Sequence, residues 1–148
     1  MVSSAVDPRT VRILPRGNWL DESGPGVTPA VPEFLGQLDI GDRRPTRLDL
    51  ANWLTDPTDG VGGLTSRAVV NRFWYLMFGV GIAPSLDDFG GQGDVPVHPE
   101  LLDNLAVQFV TSGWDVKHVI KLLVMSRTYR QASAVSSAKG PGSGWYVG

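Results

Sequence analysis

Between Asp87 and Glu100 the sequence DDFGGQGDVPVHPE sets four carboxylates and one imidazole close together along the chain: Asp87, Asp88, Asp94, His98 and Glu100. Hard oxygen donors of this kind suit calcium or magnesium, and two carboxylates facing each other across a cleft can share acid and base work. The spacing departs from the standard calcium loop, however. Simpler roles account for the same residues, with Asp88 and His98 as helix caps and Glu100 in a first turn, where the helix dipole favours it. Asp87, Asp88, His98 and Glu100 are therefore carried as catalytic candidates, and no metal site is assigned. Asp88-Phe89-Gly90 spells the metal motif of kinases, but the glycine-rich loop, strand lysine and catalytic loop that give it meaning are missing. The glycines of GGQG follow no strand and open no helix, so they do not read as a phosphate cradle.

The second chemical group is cationic. Arg67, Arg72, Arg127 and Arg130 carry guanidinium forks that bind carboxylates or other anions in bidentate fashion. Buried charges persist only when paired, so these arginines are expected to pair with Asp49, Asp87, Asp88 or Asp103 and fasten loop to helix. The functional alternative is an anion-binding or partner-binding cleft formed by Arg67, Asn71, Arg72, Arg127 and Arg130. The Asn71-Arg72 pair is expected to clasp the DDFG loop, and His118 to be a solvated helix residue.

The elements that position these groups follow from apolar spacing. Leu64 to Gly79 is the most strongly patterned stretch: Val69, Phe73 and Met77 form one helical stripe and Val70, Trp74 and Phe78 the next. Thr65 or Ser66 can cap its start, and Gly79 can end it in a left-handed conformation. An earlier helix is expected from Thr46 to about Leu54, with Asp49 completing a capping box and Asp56-Pro57 stopping it. Leu48, Leu50, Ala51, Trp53 and Leu54 cover most of its circumference, which predicts packing on more than one side. Pro99 opens a third helix with Leu101, Leu102, Leu105, Ala106, Phe109 and Val110 inward, ending at Gly113. Asp115 caps a fourth, with Val116, Val119, Ile120, Leu123 and Val124 inward and Trp114 placed to pack on Val119.

Gly and Pro are dense in the first 45 residues and in the last 17. The fold expected is mainly α: about four helices packed at steep angles, an extended N-terminal arm over 1–45, a helical core over 46–131 and a flexible tail over 132–148. The Pro spacing of the arm argues against helix, Thr10 to Leu14 can form a short strand, and Trp19, Phe34 and Leu35 are the expected anchors. A net charge of -2, with three Lys and ten scattered Arg, gives no basic stripe for nucleic acid. Without Cys there is no disulfide, thiolate metal site, cysteine nucleophile or covalent haem attachment in this chain. No cofactor is expected in it. No apolar run reaches the roughly 18 residues of a membrane span. The first residues lack the apolar region and cleavage site of a signal peptide.

Four signatures stand in order: VNRFW (Val70 to Trp74), DDFGGQG (Asp87 to Gly93), HPELLD (His98 to Asp103), and SGW followed by SRTYRQAS (Ser112 to Trp114, Ser126 to Ser133). Together with PRGN in the arm and RLDLANWL, they resemble the C-terminal domain of unknown function 1553 of large secreted planctomycete-type proteins, which often accompanies a planctomycete cytochrome c domain. The likeness runs from about Arg16 to Ser133. Members continue into further helices after TYRQ, so this chain reads as a truncated member. The resemblance implies an extracytoplasmic, periplasmic or secreted location. It also implies upstream domains of the same protein type as partners, a cytochrome c domain among them, and it carries over no catalytic residue. The leading expectation is a non-catalytic interaction or scaffold module, ahead of a hydrolase acting on glycans through the Asp87 to Glu100 loop. A third is an accessory module to a cytochrome c electron-transfer protein.

Overall fold

The computed structural model describes residues 6–89 and 91–131. The flexible tail expected over 132–148 lies outside them. The described chain is mainly helical: α1 (Arg47–Thr55), α2 (Gly62–Phe78), α3 (Pro99–Thr111) and α4 (Val116–Val124) follow a two-stranded hairpin of β1 (Val11–Arg12) and β2 (Gly26–Val27). It divides into two compact units between Ser66 and Arg67.

In the first unit the predicted strand is short. Val11 pairs with Val27 and Arg12 with Gly26 in antiparallel register, and the Ile13 amide donates to the Pro25 carbonyl at 3.0 Å. Gly24 is buried against the Ile13 carbonyl, where a Cβ would overlap the oxygen. Two single 3-10 turns, Pro15–Gly17 and Glu33–Leu35, interrupt the arm that the proline spacing had marked as free of helix. Proline fixes φ near the value a first turn needs, so it blocks long helices without blocking one turn. Nothing within this unit covers the expected anchors Trp19 and Phe34, which are 76% and 86% exposed, and Leu35 is partly covered.

Helix α1 starts as its sequence dictates. Thr46 accepts from the Asp49 amide while the Asp49 carboxylate accepts from the Thr46 amide at 2.7 Å, a complete capping box. The expected packing on several sides is absent from this unit: Trp53 is buried, but Leu48 is 68% exposed and Leu50 and Leu54 are open to solvent. Asp56 ends the helix and folds the next turn, its carboxylate accepting from the Thr58 and Asp59 amides at 2.8 and 3.2 Å. The Gly62 amide returns to the Asp56 carbonyl at 2.8 Å, and α2 begins there, a turn before the expected caps. Thr65 already donates its amide to the Val61 carbonyl, and the Ser66 hydroxyl bonds back to the Gly63 carbonyl at 3.0 Å. Both are inside the helix rather than at its cap.

The second unit holds the apolar core. Val70, Ile82, Leu102, Leu105, Phe109, Val119 and Leu123 are buried together, with Val69, Phe73, Trp74, Met77, Phe89, Trp114 and Leu122 packed on them. Both predicted stripes of α2 contribute. Phe73 meets Phe109 edge-on at 6.3 Å, and Trp74 stacks on Phe78 at 4.2 Å, which in turn meets the Tyr129 ring at 5.7 Å. Gly79 ends α2 with φ +84°, as a left-handed C-terminal residue should. Helix α3 buries Leu102, Leu105, Ala106 and Phe109, while Leu101 stays exposed.

The turn from α3 to α4 differs in detail from its expectation. Gly113 and Trp114 are both left-handed, at φ +74° and +61°, and the Trp114 amide donates to the Phe109 carbonyl at 3.0 Å. Trp114 lies against the core that includes Val119, and its ring contact is edge-on to Phe109 at 5.0 Å. Asp115 caps α4 by accepting from the His118 amide at 3.1 Å. Val119 and Leu123 carry the buried face, whereas Val116 is exposed.

Candidate functional site

The loop between α2 and α3 is held from within. Asn71 is fully buried on α2, its amide nitrogen donating to the Ala83 carbonyl at 2.8 Å and its oxygen accepting from the Ala83 amide at 2.9 Å. This satisfies two backbone groups that burial would otherwise leave unpaired. Farther along, the Val97 amide donates to the Ile82 carbonyl at 2.9 Å. The Ser85 hydroxyl donates to the Asp88 carbonyl at 3.0 Å and accepts from the Asp94 amide at 2.7 Å. Gly93 passes so close to the Asp88 carbonyl that a Cβ would overlap its oxygen.

The expected clasp is therefore half present. Asn71 grips the loop, but at Ala83 rather than at the DDFG segment, and Arg72 is exposed and forms no ion pair among the described residues. The reason is rotational: adjacent helix positions point about 100° apart, so a buried Asn71 sends Arg72 outward. Arg67 pairs with Asp103 at 2.5 Å, both side chains nearly half exposed. Asp49 takes Arg43 as its partner, and the two form a bidentate clamp with one arm at 2.7 Å. Arg43 precedes the helix, so helical spacing does not single it out as the partner of Asp49. The Arg43 guanidinium and then the Thr46 hydroxyl and amide hold the Asp49 carboxyl well below the usual carboxylate range.

Of the catalytic candidates, Asp87, His98 and Glu100 are exposed and Asp88 is partly covered. His98 occupies the cap position of α3, but its side chain makes no capping bond, and its carbonyl instead accepts from Leu102 at 3.1 Å. Asp88 stands before no helix, so it is not a cap either. Among the described residues no three His, Asp or Glu side chains come together as a metal site. Arg127 and Arg130 are exposed in the turns after α4.

One concave surface escaped the sequence reading. A groove of about 710 Å³ opens between α3 and α4, floored by Trp74, Leu105, Leu122 and Leu123. Leu101 and Met125 stand at its edges with Asn104, Gln108, His118 and Lys121. Met125, 59% exposed, was the available signal: a large apolar residue just past α4, outside the stripe that fills the core.

The fold and these surfaces define a small helical module with a self-tied interhelical loop and an open apolar groove. Residues 46–142 match the family described as PSD1, protein of unknown function (DUF1553), and the chain belongs to that family. No curated protein and no solved structure matches the chain. None of the described helices is long and apolar enough to cross a membrane.

Proposed function

We propose that the chain is a non-catalytic interaction module of an extracytoplasmic multidomain protein, and that the α3–α4 groove is its contact surface. The observation that carries this reading is the groove itself, whose floor includes half-buried Trp74 and whose edges leave Leu101 and Met125 in water. Aromatic and methionine side chains in such settings serve as adaptable anchors for a second polypeptide. The extracytoplasmic setting and the upstream domains as partners rest on the family resemblance. Titration calorimetry of the chain against an upstream domain of the same protein type tests the proposal. Association that is lost on Leu101→Arg or Met125→Arg is expected. Association untouched by both exposed substitutions, or none at all, overturns it.

A further inference from the structure

Building on the reading of the groove as a docking surface, we infer that its occupant is an acidic amphipathic protein segment. Its apolar side chains sit over Trp74 and Leu105, and its carboxylates meet Lys121 and His118. Charge selects this occupant. No carboxylate lines the groove, and its two ionisable lining residues are Lys121 and His118. The surrounding chain has the same sign: from Val116 to Gln131 there are four cations, Lys117, Lys121, Arg127 and Arg130, and no Asp or Glu, in a protein whose net charge is -2. All four are exposed. The two acidic residues of α3, Glu100 and Asp103, do not line the groove, and Asp103 is engaged by Arg67.

The apolar floor and basic edge thus ask for a partner with the opposite pattern, apolar at its centre and negative at its flanks. A lipid surface fits less well, because the strongest apolar face of α4, Val119 and Leu123, is already spent in the core and cannot enter a bilayer. A nucleic acid would leave the apolar floor without a counterpart.

The test uses two peptides that share one Leu and Trp seam at helical spacing, with Glu at all remaining positions in one and Lys in the other. Binding to the full chain is measured by calorimetry at two salt concentrations. We expect the Glu peptide to bind roughly tenfold tighter, with the advantage shrinking as salt rises. Lys121→Glu should remove or reverse the preference, and Leu101→Arg should weaken both peptides. Equal binding of the two peptides overturns the acidic assignment but leaves the docking surface standing. If neither binds, the groove reading falls with it. Stronger binding to phosphatidylglycerol vesicles than to the Glu peptide, lost in Lys121→Glu, assigns the surface to a membrane and also overturns the proposal.

Discussion

Asn71 meets both backbone polar groups of Ala83 with one side chain, donating at 2.8 Å and accepting at 2.9 Å inside a fully buried site. The amide is needed for both halves. Asn71→Asp keeps the acceptor but turns the donor toward Ala83 into a second acceptor, and should cost about 3 kcal/mol near neutral pH. The introduced carboxyl regains a donor when protonated, so its folded pKa is raised. The variant's stability is accordingly highest below the unfolded carboxyl value, about 4, and falls as pH rises through the folded value. Urea midpoints measured from pH 3.5 to 7 check this, and a variant that gains stability over that range relative to the parent contradicts it.

Gly81 and Gly79 should respond to substitution in opposite orders from what their dihedral angles suggest. Gly79 has φ +84° but open space at the Cβ position, so Gly79→Ala should cost about 1 kcal/mol. At Gly81 a Cβ would overlap the Ala83 carbonyl oxygen and come within 2.9 Å of the Asn71 amide nitrogen. Gly81→Ala should therefore break the clasp and cost about 3 kcal/mol, more than the left-handed site. Thermal midpoints of the two variants decide the order.

Trp114 pairs a left-handed backbone with a ring that packs on Phe109. Trp114→Ala loses the ring and keeps the strain, for a loss of about 3 kcal/mol. Trp114→Gly loses the same ring but relieves about 1 kcal/mol of backbone cost, so it should be the more stable of the two. Glycine is the worse choice at most sites, which makes chemical denaturation of this pair a sensitive check of the turn geometry.

The Arg43–Asp49 clamp makes α1 acid-sensitive. The Asp49 carboxyl is depressed below its unfolded value, so its contribution is in force above about pH 4 and is lost as pH falls through the folded value. Asp49→Asn removes that titration, and its stability should vary less between pH 5 and pH 2 than the parent's. Denaturation midpoints across this range provide the measurement.

The helices were legible because their signals are local. Thr46 with Asp49, Pro99 and Asp115 announce helix starts by side chains that bond to backbone within three residues or lack a donor there. The core of the second unit follows from period alone, as Val70, Leu105, Phe109 and Leu123 show. What sequence did not reveal depends on what lies opposite. Leu48 and Leu50 carry a helical apolar pattern that nothing within the first unit covers, because pattern says that a face is apolar and not what lies against it. Asn71 was marked as a clasp, yet its target required knowing that the backbone at Gly81 and Ala83 closes against Asn71 before DDFG is reached. The groove arises from the spacing between α3 and α4, which neither helix encodes by itself.

The tie from Asn71 to Ala83 spans only twelve residues, and those from Ile82 to Val97 and from Phe109 to Trp114 are of similar reach or shorter. Each closes a small loop whose entropic cost is modest, and α3 packs on the helix that directly follows it. These ties can form as soon as the chain that makes them is synthesised, whereas the Phe73–Phe109 and Phe78–Tyr129 ring contacts wait for α3 and for the turns after α4. The early local ties shorten the span of free chain that those distant contacts must close.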